Sequence, residues 1–199
     1  IQSDGVVEII NTKGEEFSLF DEQFLNDVAN MKEKNLAIEM LKKLLAQHIK
    51  KHQKKNLTQA ELFSEMLDKR LAEYLRGMIS NEEVIKELLE MAKLMKQHAE
   101  EGNALGLSDE EQAFYDALTR PRAVKDFYEN NQLVAMAREI TDALRKNRTL
   151  DWRQKETARA KMRTMIKRLL KKYHYPPEEA QNAIEVVMRQ CELWADNEE

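Results

Sequence analysis

Hydrophobic residues recur every three or four positions along most of the chain, from about residue 36 onward. This period places them on one face of a helix, whereas the alternation typical of strands is nearly absent. The first such face comprises Leu36, Ala37, Met40, Leu41, Leu44, Leu45 and Ile49. The pattern predicts an all-α protein, a helical bundle of about seven helices.

Signals for helix ends divide this pattern into elements. Residues 101–107 have the composition of a loop, with Gly102 in the position that stops a helix, and Gly77 is a second expected stop. A capping box, in which Ser or Thr is followed three residues later by Glu, marks a helix start. The chain has three: Thr58 with Glu61, Ser80 with Glu83, and Ser108 with Glu111.

The two ends of the chain differ. Near the C-terminus, Asp151 is expected to cap a basic helix over about residues 152–173. Pro176 and Pro177 should end it and begin the last helix, because proline suits the first helical turn. Residues 1–20 are instead strand-like, with a short strand over residues 6–10. We therefore predict an extended segment (1–20) that links to an upstream parent chain, followed by a helical domain (21–199).

Composition narrows the class of protein. The net charge of −4 gives no global case for nucleic-acid binding, so any such case must be local. The one cysteine, Cys191, excludes an intrachain disulfide framework and fits a reducing, cytoplasmic setting. We find no apolar run of the roughly 20 residues that a membrane span needs, and no signal peptide. The chain begins with Ile1 rather than Met, which suggests a piece excised from a longer protein.

Charge is sorted on either side of Tyr175-Pro176-Pro177. Residues 153–172 contain nine Lys or Arg and one acidic residue, whereas residues 178–199 contain seven acidic residues and one basic residue. Four of the cations recur every four residues and form one predicted stripe: Arg159, Arg163, Lys167 and Lys171. This stripe could bind a DNA backbone or an acidic protein surface. Alternatively, the basic helix lies antiparallel to the acidic one and is neutralised internally.

Other residues with reactive or metal-binding chemistry have simpler structural explanations. His48 and His52 lie one helical turn apart, but no third metal ligand is evident, so a solvated helix end is the favoured interpretation. Cys191 falls on an apolar stripe with no nearby base, which is typical of a buried thiol. We find no glycine-rich phosphate loop. We therefore expect no catalytic, cofactor or metal site in these residues.

Several segments, in order, resemble the C-terminal helical region of the R subunit of type I restriction enzymes, the bacterial DNA-translocating endonucleases. The resemblance covers most of residues 4–195. Its pieces are KNLAIEMLKKLL (34–45), SEML (64–67), EVIKEL (83–88), LGLSDEE (105–111), FYDAL (114–118), Asp151-Trp152, RAKMR (159–163) and YHYPP (173–177). The chain has His174 where such proteins commonly have glycine. Histidine can adopt the left-handed backbone at some cost, or the turn could differ slightly.

The resemblance implies a parent enzyme larger than this chain. Such subunits combine a nuclease domain and two motor domains with this helical tail, use ATP and Mg²⁺, and join a methyltransferase–specificity complex. By resemblance, the tail assembles the motor with the methyltransferase subunits and carries no active site. Two alternatives are that it binds duplex DNA directly through the Arg159–Lys171 stripe, or that it is a free-standing helical regulator.

Overall fold

The computed structural model describes residues 19–120, 122–147, 152 and 155–195, and these residues form nine helices and no strand. The all-α prediction is confirmed, and two short helices, the first and the sixth, were not expected. The predicted strand over residues 6–10 lies outside the described residues. The helices are α1 Glu22–Ala29, α2 Lys34–Gln53, α3 Leu57–Leu75, α4 Asn81–Ala104, α5 Asp109–Thr119, α6 Arg122–Phe127, α7 Asn130–Asn147, α8 Glu156–Lys172 and α9 Pro177–Ala195.

The chain divides into two compact units. Of the described residues, unit 1 comprises 19–48 and 66–97, and unit 2 comprises 49–65 and those from 98 onward. In unit 1, α1 begins at Asp21, whose carboxylate accepts hydrogen bonds from the backbone N–H groups of Gln23 and Phe24. The buried side chains of this unit include Leu41, Leu45 and Leu88. None of the described helices has the length and apolarity needed to cross a membrane.

Unit 2 contains one contiguous apolar core. Helices α5 and α7 pack together, α8 packs on α7, and α9 packs on both α5 and α8. The fully buried side chains that join these helices include Trp152, Phe114, Leu118, Leu133, Met136, Ile140, Met162, Ile166 and Leu170. The positions with helical spacing in the sequence thus form the faces that meet in this core.

The helix starts agree with the sequence at two capping boxes and differ at the third. Ser80 and Ser108 each form the reciprocal pair of hydrogen bonds with the glutamate three residues later. The Thr58 box is wrong, because α3 already begins at Leu57. The Asn56 side chain caps it, accepting from the backbone N–H of Gln59 at 3.1 Å. Asparagine is preferred over threonine as an N-cap residue, and Asn56 comes two residues before Thr58.

The predicted loop over residues 101–107 is largely helical. Helix α4 continues to Ala104, and the left-handed residue that ends it is Gly106, with φ of 63°. Gly102 lies inside the helix, where a Cβ would collide with the side chain of Gln112. That side chain crosses to donate to the backbone carbonyl of His98 at 3.1 Å. Gly102 therefore leaves room for the Gln112 side chain to cross to α4, although in the sequence it looked like a helix stop.

The basic helix begins later than predicted. Helix α8 starts at Glu156 rather than near residue 152, and its N-cap residue, Lys155, makes no capping side-chain bond. Trp152 lies in a turn and is buried in the core of unit 2. The chain thus uses Trp152 for packing before the helix begins. Asp151, the predicted cap, lies outside the described residues.

At the end of α8, His174 adopts the left-handed backbone conformation. This residue has a positive φ of 57°, the conformation that glycine adopts at Gly77 and Gly106. The N–H of Tyr175 bonds to the carbonyl of Leu170, and the N–H of His174 bonds to that of Lys171, the pattern of a Schellman helix end. A non-glycine residue in this conformation costs roughly 1–2 kcal/mol.

His174→Gly is therefore expected to raise the free energy of unfolding by about 0.5–1 kcal/mol. Relief of the left-handed strain exceeds the entropy that glycine adds to the unfolded chain. Gly77→Ala should have the opposite sign, because Gly77 has a φ of 69° and open space around it, so strain alone would act. Urea denaturation of the three proteins gives both values. A loss of stability in His174→Gly would show that the imidazole contributes more than its strain costs.

Candidate basic interface on helix α8

Helix α8 is held in unit 2 by its apolar side. Met162, Ile166 and Leu170 are buried, and they recur every four residues along the helix. They pack in the core formed with α7 and α9. Because these three side chains face inward, the cations of α8 must lie on its flanks and on its solvent side. The hydrophobic pattern therefore determines where each charge is presented.

Tyrosines fix the C-terminal end of α8. The Tyr128 hydroxyl donates to the carbonyls of Tyr173 and His174, at 3.1 and 2.6 Å. The Tyr175 hydroxyl, buried in the core, donates to the carbonyl of Leu118 at 2.7 Å. Burial is the largest cause that raises the pKa of Tyr175 above its usual value. These bonds satisfy helix-end carbonyls and hold the turn that leads into α9.

A polar contact joins the same end of α8 to α7. The Tyr173 hydroxyl donates to Glu139 at 2.6 Å, and the Lys172 ammonium lies 2.7 Å from the same carboxylate. The hydrogen bond to Glu139, followed by burial, raises the pKa of Tyr173 to about 12. The bonds from Lys172 and then Tyr173 lower the pKa of Glu139. Both shifts act in the same direction, so near neutral pH the Tyr173 phenol is neutral and the Glu139 carboxylate is ionised.

The predicted stripe does not lie on one face. Arg159 pairs with Glu192 of α9 at 2.9 Å, with both side chains about one-third exposed (32% and 34%). Arg163 lies 3.8 Å from Glu156 of its own helix. Lys167 and Lys171 are exposed, and neither has an ion pair within the described part of the chain. Within the described residues, Arg159 and Arg163 thus face carboxylates of the chain itself, whereas Lys167 and Lys171 are available to a partner.

Helix geometry explains this division. A step of four residues turns about 400°, so each member of the stripe is rotated about 40° from the one before. Arg159 starts beside the buried side and reaches α9, whereas Lys171 ends on the solvent side. Among the described residues, Arg159–Glu192 is the one ion pair that joins α8 to α9. Within the described residues, internal neutralisation by the acidic helix therefore accounts for one cation of the stripe, Arg159.

Two further cations were missed in the sequence. Lys161 and Arg168 lie seven residues apart, almost two full turns, on the solvent side of α8. They border a groove of about 490 Å³, which Asn147, Thr164, Met165 and Leu169 also line. Neither cation has an ion pair within the described residues, and none of the described lining residues is acidic. A search at a spacing of seven would have found this pair.

A buried polar cluster was also missed. Asp116, 6% exposed, accepts from the Asn56 amide at 2.6 Å and faces His98 Nε2 at 3.0 Å. Nearby in unit 2, the Gln190 side chain accepts from the N–H of Leu57 at 2.6 Å. The carboxylate thus ties together segments that are far apart in sequence. In the sequence, Asp116 stands within an apolar run after Phe114-Tyr115, and a charged residue in such a run was the available signal.

The other sequence candidates do not converge on one site. His48 packs edge-on against Phe20, with ring centroids 4.9 Å apart. Burial, the largest cause, and the neighbouring Lys55 lower the pKa of His52. Cys191 is buried, as predicted. Within the described residues, no group of three or more His, Cys, Asp or Glu side chains is placed to hold a metal ion.

Comparison with known proteins identifies the family. Residues 1–197 match the family model described as "Type I restriction enzyme HindI endonuclease subunit-like, C-terminal". The chain belongs to this family. It is the C-terminal domain of a type I restriction enzyme endonuclease subunit, and the resemblance noted in the sequence is confirmed.

Two relatives of the type I C-terminal family give the extent of the match. The HindI endonuclease subunit of Haemophilus influenzae is 34% identical over 200 residues, covering 99% of this chain and 19% of that protein. A protein predicted to be the type I MjaIXP endonuclease subunit of Methanocaldococcus jannaschii is 30% identical over 168 residues, 84% of this chain and 16% of its own length. The chain thus spans under a fifth of these relatives. No solved structure matches it.

Proposed function

We propose that this helical domain, residues 21–199, assembles the endonuclease subunit with the methyltransferase and specificity subunits of a type I restriction enzyme. Family membership and the names of the two relatives support this proposal. In the proposed enzyme, ATP- and Mg²⁺-dependent translocation and cleavage of DNA belong to other parts of the endonuclease subunit. The role of this chain is to present contact surfaces.

The observation that carries the assembly proposal is an exposed apolar helix end in unit 1. Where α3 turns into α4, Leu75 is 82% exposed and Met78 is 67% exposed. Leu75 and Met78 are two large apolar side chains open to water. A partner that covers them removes apolar surface from water, which favours binding. Methionine is also among the residues enriched where proteins bind one another.

The same turn is rigid, which favours specific binding. The N–H of Met78 bonds to the carbonyl of Glu73 and the N–H of Gly77 to that of Tyr74, each at 2.9 Å. The capping box between Ser80 and Glu83 then fixes the start of α4. A partner therefore meets a preorganised surface and has little loop entropy to remove. We call Leu75 and Met78, with the turn between them, the apolar tip.

The double variant Leu75→Glu with Met78→Glu is expected to lower capture of this chain by the methyltransferase–specificity complex at least tenfold. Two charges would replace the apolar contact, and their desolvation opposes binding. A pull-down with the purified complex measures the change. The fold should be unaffected, because both side chains are already in water; circular dichroism checks this.

Lys86→Glu is the matched control. Lys86 is an exposed residue of α4, in the same unit, and its reversal changes the net charge by two, as the double variant does. Capture of Lys86→Glu should equal that of the unmodified chain. Equal loss in both variants would mean that charge alone governs binding, and undiminished capture of the double variant would remove the apolar tip from the proposal.

A second candidate function is direct contact with duplex DNA through the outer half of the stripe. Lys167 and Lys171 are exposed and have no ion pair within the described residues, so they are free to neutralise phosphates. Arg159 and Arg163 already face carboxylates. Binding through Lys167 and Lys171 would weaken as salt rises, whereas contact through the apolar tip would be far less sensitive to salt.

A further inference from the structure

The groove beside Lys161 and Arg168 is distinct from the outer stripe. A helix turns about 100° per residue, which places Lys161, Met165 and Arg168 within about 60° of one another. Lys171 is about 60° beyond Arg168 on one side, and the buried side chain of Met162 lies on the other. The groove therefore has a charged outer rim, formed by Lys161 and Arg168, and an apolar wall, formed by Met165 and Leu169.

The uncharged polar side chains of the groove, Asn147 and Thr164, already form hydrogen bonds within the protein. The Asn147 amide donates to the carbonyl of Ala143 at 2.8 Å and to the sulfur of Met165 at 3.3 Å. The Thr164 hydroxyl donates to the carbonyl of Ala160 at 2.9 Å. These bonds tie the wall to α7 and α8. Recognition of a ligand in the groove therefore falls to the two cations on its rim.

The charges leave the rim available to an anion. Helix α8 has seven basic residues and one acidic residue, Glu156, which pairs with Arg163. Lys172 pairs with Glu139. Within the described residues, the rim has no such partner. An anion with both phosphate and apolar character would satisfy the cations and the apolar wall together.

We propose that this groove binds the sugar–phosphate backbone of duplex DNA, with Lys161 and Arg168 each on a separate phosphate. This site rests on the second candidate function but is separate from the Lys167–Lys171 pair. The two rim residues are separated by about 10.5 Å of helix rise, which is enough for each to meet a different phosphate. The apolar wall then faces the sugars.

The test is a binding titration with the 199-residue chain. Duplexes of two unrelated sequences are titrated at about 50 and 200 mM salt, and ATP is titrated separately. The double variant Lys161→Gln with Arg168→Gln should bind both duplexes roughly tenfold more weakly at the lower salt. Its plot of log affinity against log salt should lose about 1.8 of slope, or about 0.9 for each phosphate contact removed.

Two other double variants give the test its controls. Lys86→Gln with Lys93→Gln removes two exposed lysines that are also seven residues apart on one helix, and it should bind as the unmodified chain does. Lys167→Gln with Lys171→Gln tests the outer stripe. If only the stripe variant loses affinity, the groove assignment is overturned and the second candidate function stands.

Three further results would also overturn the groove assignment. One is no measurable binding of either duplex by the unmodified chain, which would remove the second candidate function as well. Another is that the unmodified chain binds ATP but not duplex, and that the Lys161→Gln, Arg168→Gln variant loses the ATP binding. The third is loss of methyltransferase-complex capture, rather than of DNA binding, in the rim variant. The rim variant should keep the circular dichroism and melting of the unmodified chain, because both changed side chains are exposed.

Discussion

Trp152→Ala is expected to lower the free energy of unfolding by about 3–5 kcal/mol. Trp152 is 1% exposed and belongs to the same core as Met162, Ile166 and Leu170 of α8. Removing its ring system would lose the transfer free energy of a large apolar side chain and leave a cavity. Urea denaturation followed by circular dichroism measures the loss, and the melting temperature should fall on the order of 10 °C.

Phe127→Ala is the aromatic control for this prediction. Phe127 is 84% exposed, so its removal should change stability by no more than about 0.5 kcal/mol. The contrast tests whether the short segment before α8 is truly a core element. If Trp152→Ala and Phe127→Ala were equally mild, Trp152 would not contribute to the core that holds α8 in unit 2.

Asp116→Ala is expected to cost about 3 kcal/mol of folding stability. The substitution removes the carboxylate that faces both Asn56 and His98, and it leaves two polar groups without this partner in a buried or part-buried setting. Each polar group left unsatisfied costs about 1–3 kcal/mol, and loss of one partner of a buried charged contact is among the more damaging changes. The same denaturation experiment measures this loss.

Two variants separate hydrogen bonding from charge at this position. Asp116→Asn keeps an oxygen that can accept from Asn56, so it should lose less stability than Asp116→Ala. Asp126→Ala removes an exposed aspartate from the same unit and should be neutral within about 0.5 kcal/mol. A mild Asp116→Ala with a damaging Asp126→Ala would contradict the assigned contacts.

Much of the helical framework was predictable from local chemistry. Ser80 with Glu83 and Ser108 with Glu111 form the expected capping boxes, because each needs only residues three apart. Gly77 and His174 end helices in the left-handed conformation, as neighbouring sequence suggested. Family resemblance was equally accessible, since short motifs in order and at constant spacing do not depend on tertiary contacts.

The errors at Gly102 and Thr58 have different physical origins, packing between helices in the first case and a competing local cap in the second. Gly102 resembled a helix stop but serves the approach of Gln112 to α4, a contact between residues ten apart. Thr58 was a reasonable cap, yet Asn56 caps α3 while its amide also serves Asp116. Neither the contact of Gln112 beside Gly102 nor the second bond of Asn56 to Asp116 could be seen in the local pattern.

For the candidate interface, the sequence alone determined that α8 is basic, amphipathic and bounded by Pro176. Those properties depend on residue type and helical period, which are local. Only the tertiary structure decided which cations are available. Arg159 meets Glu192 across two helices, whereas Lys161 and Arg168 border a groove that Asn147 of α7 also lines. Charge is a property of a residue, but its availability depends on neighbours that folding brings from elsewhere in the chain.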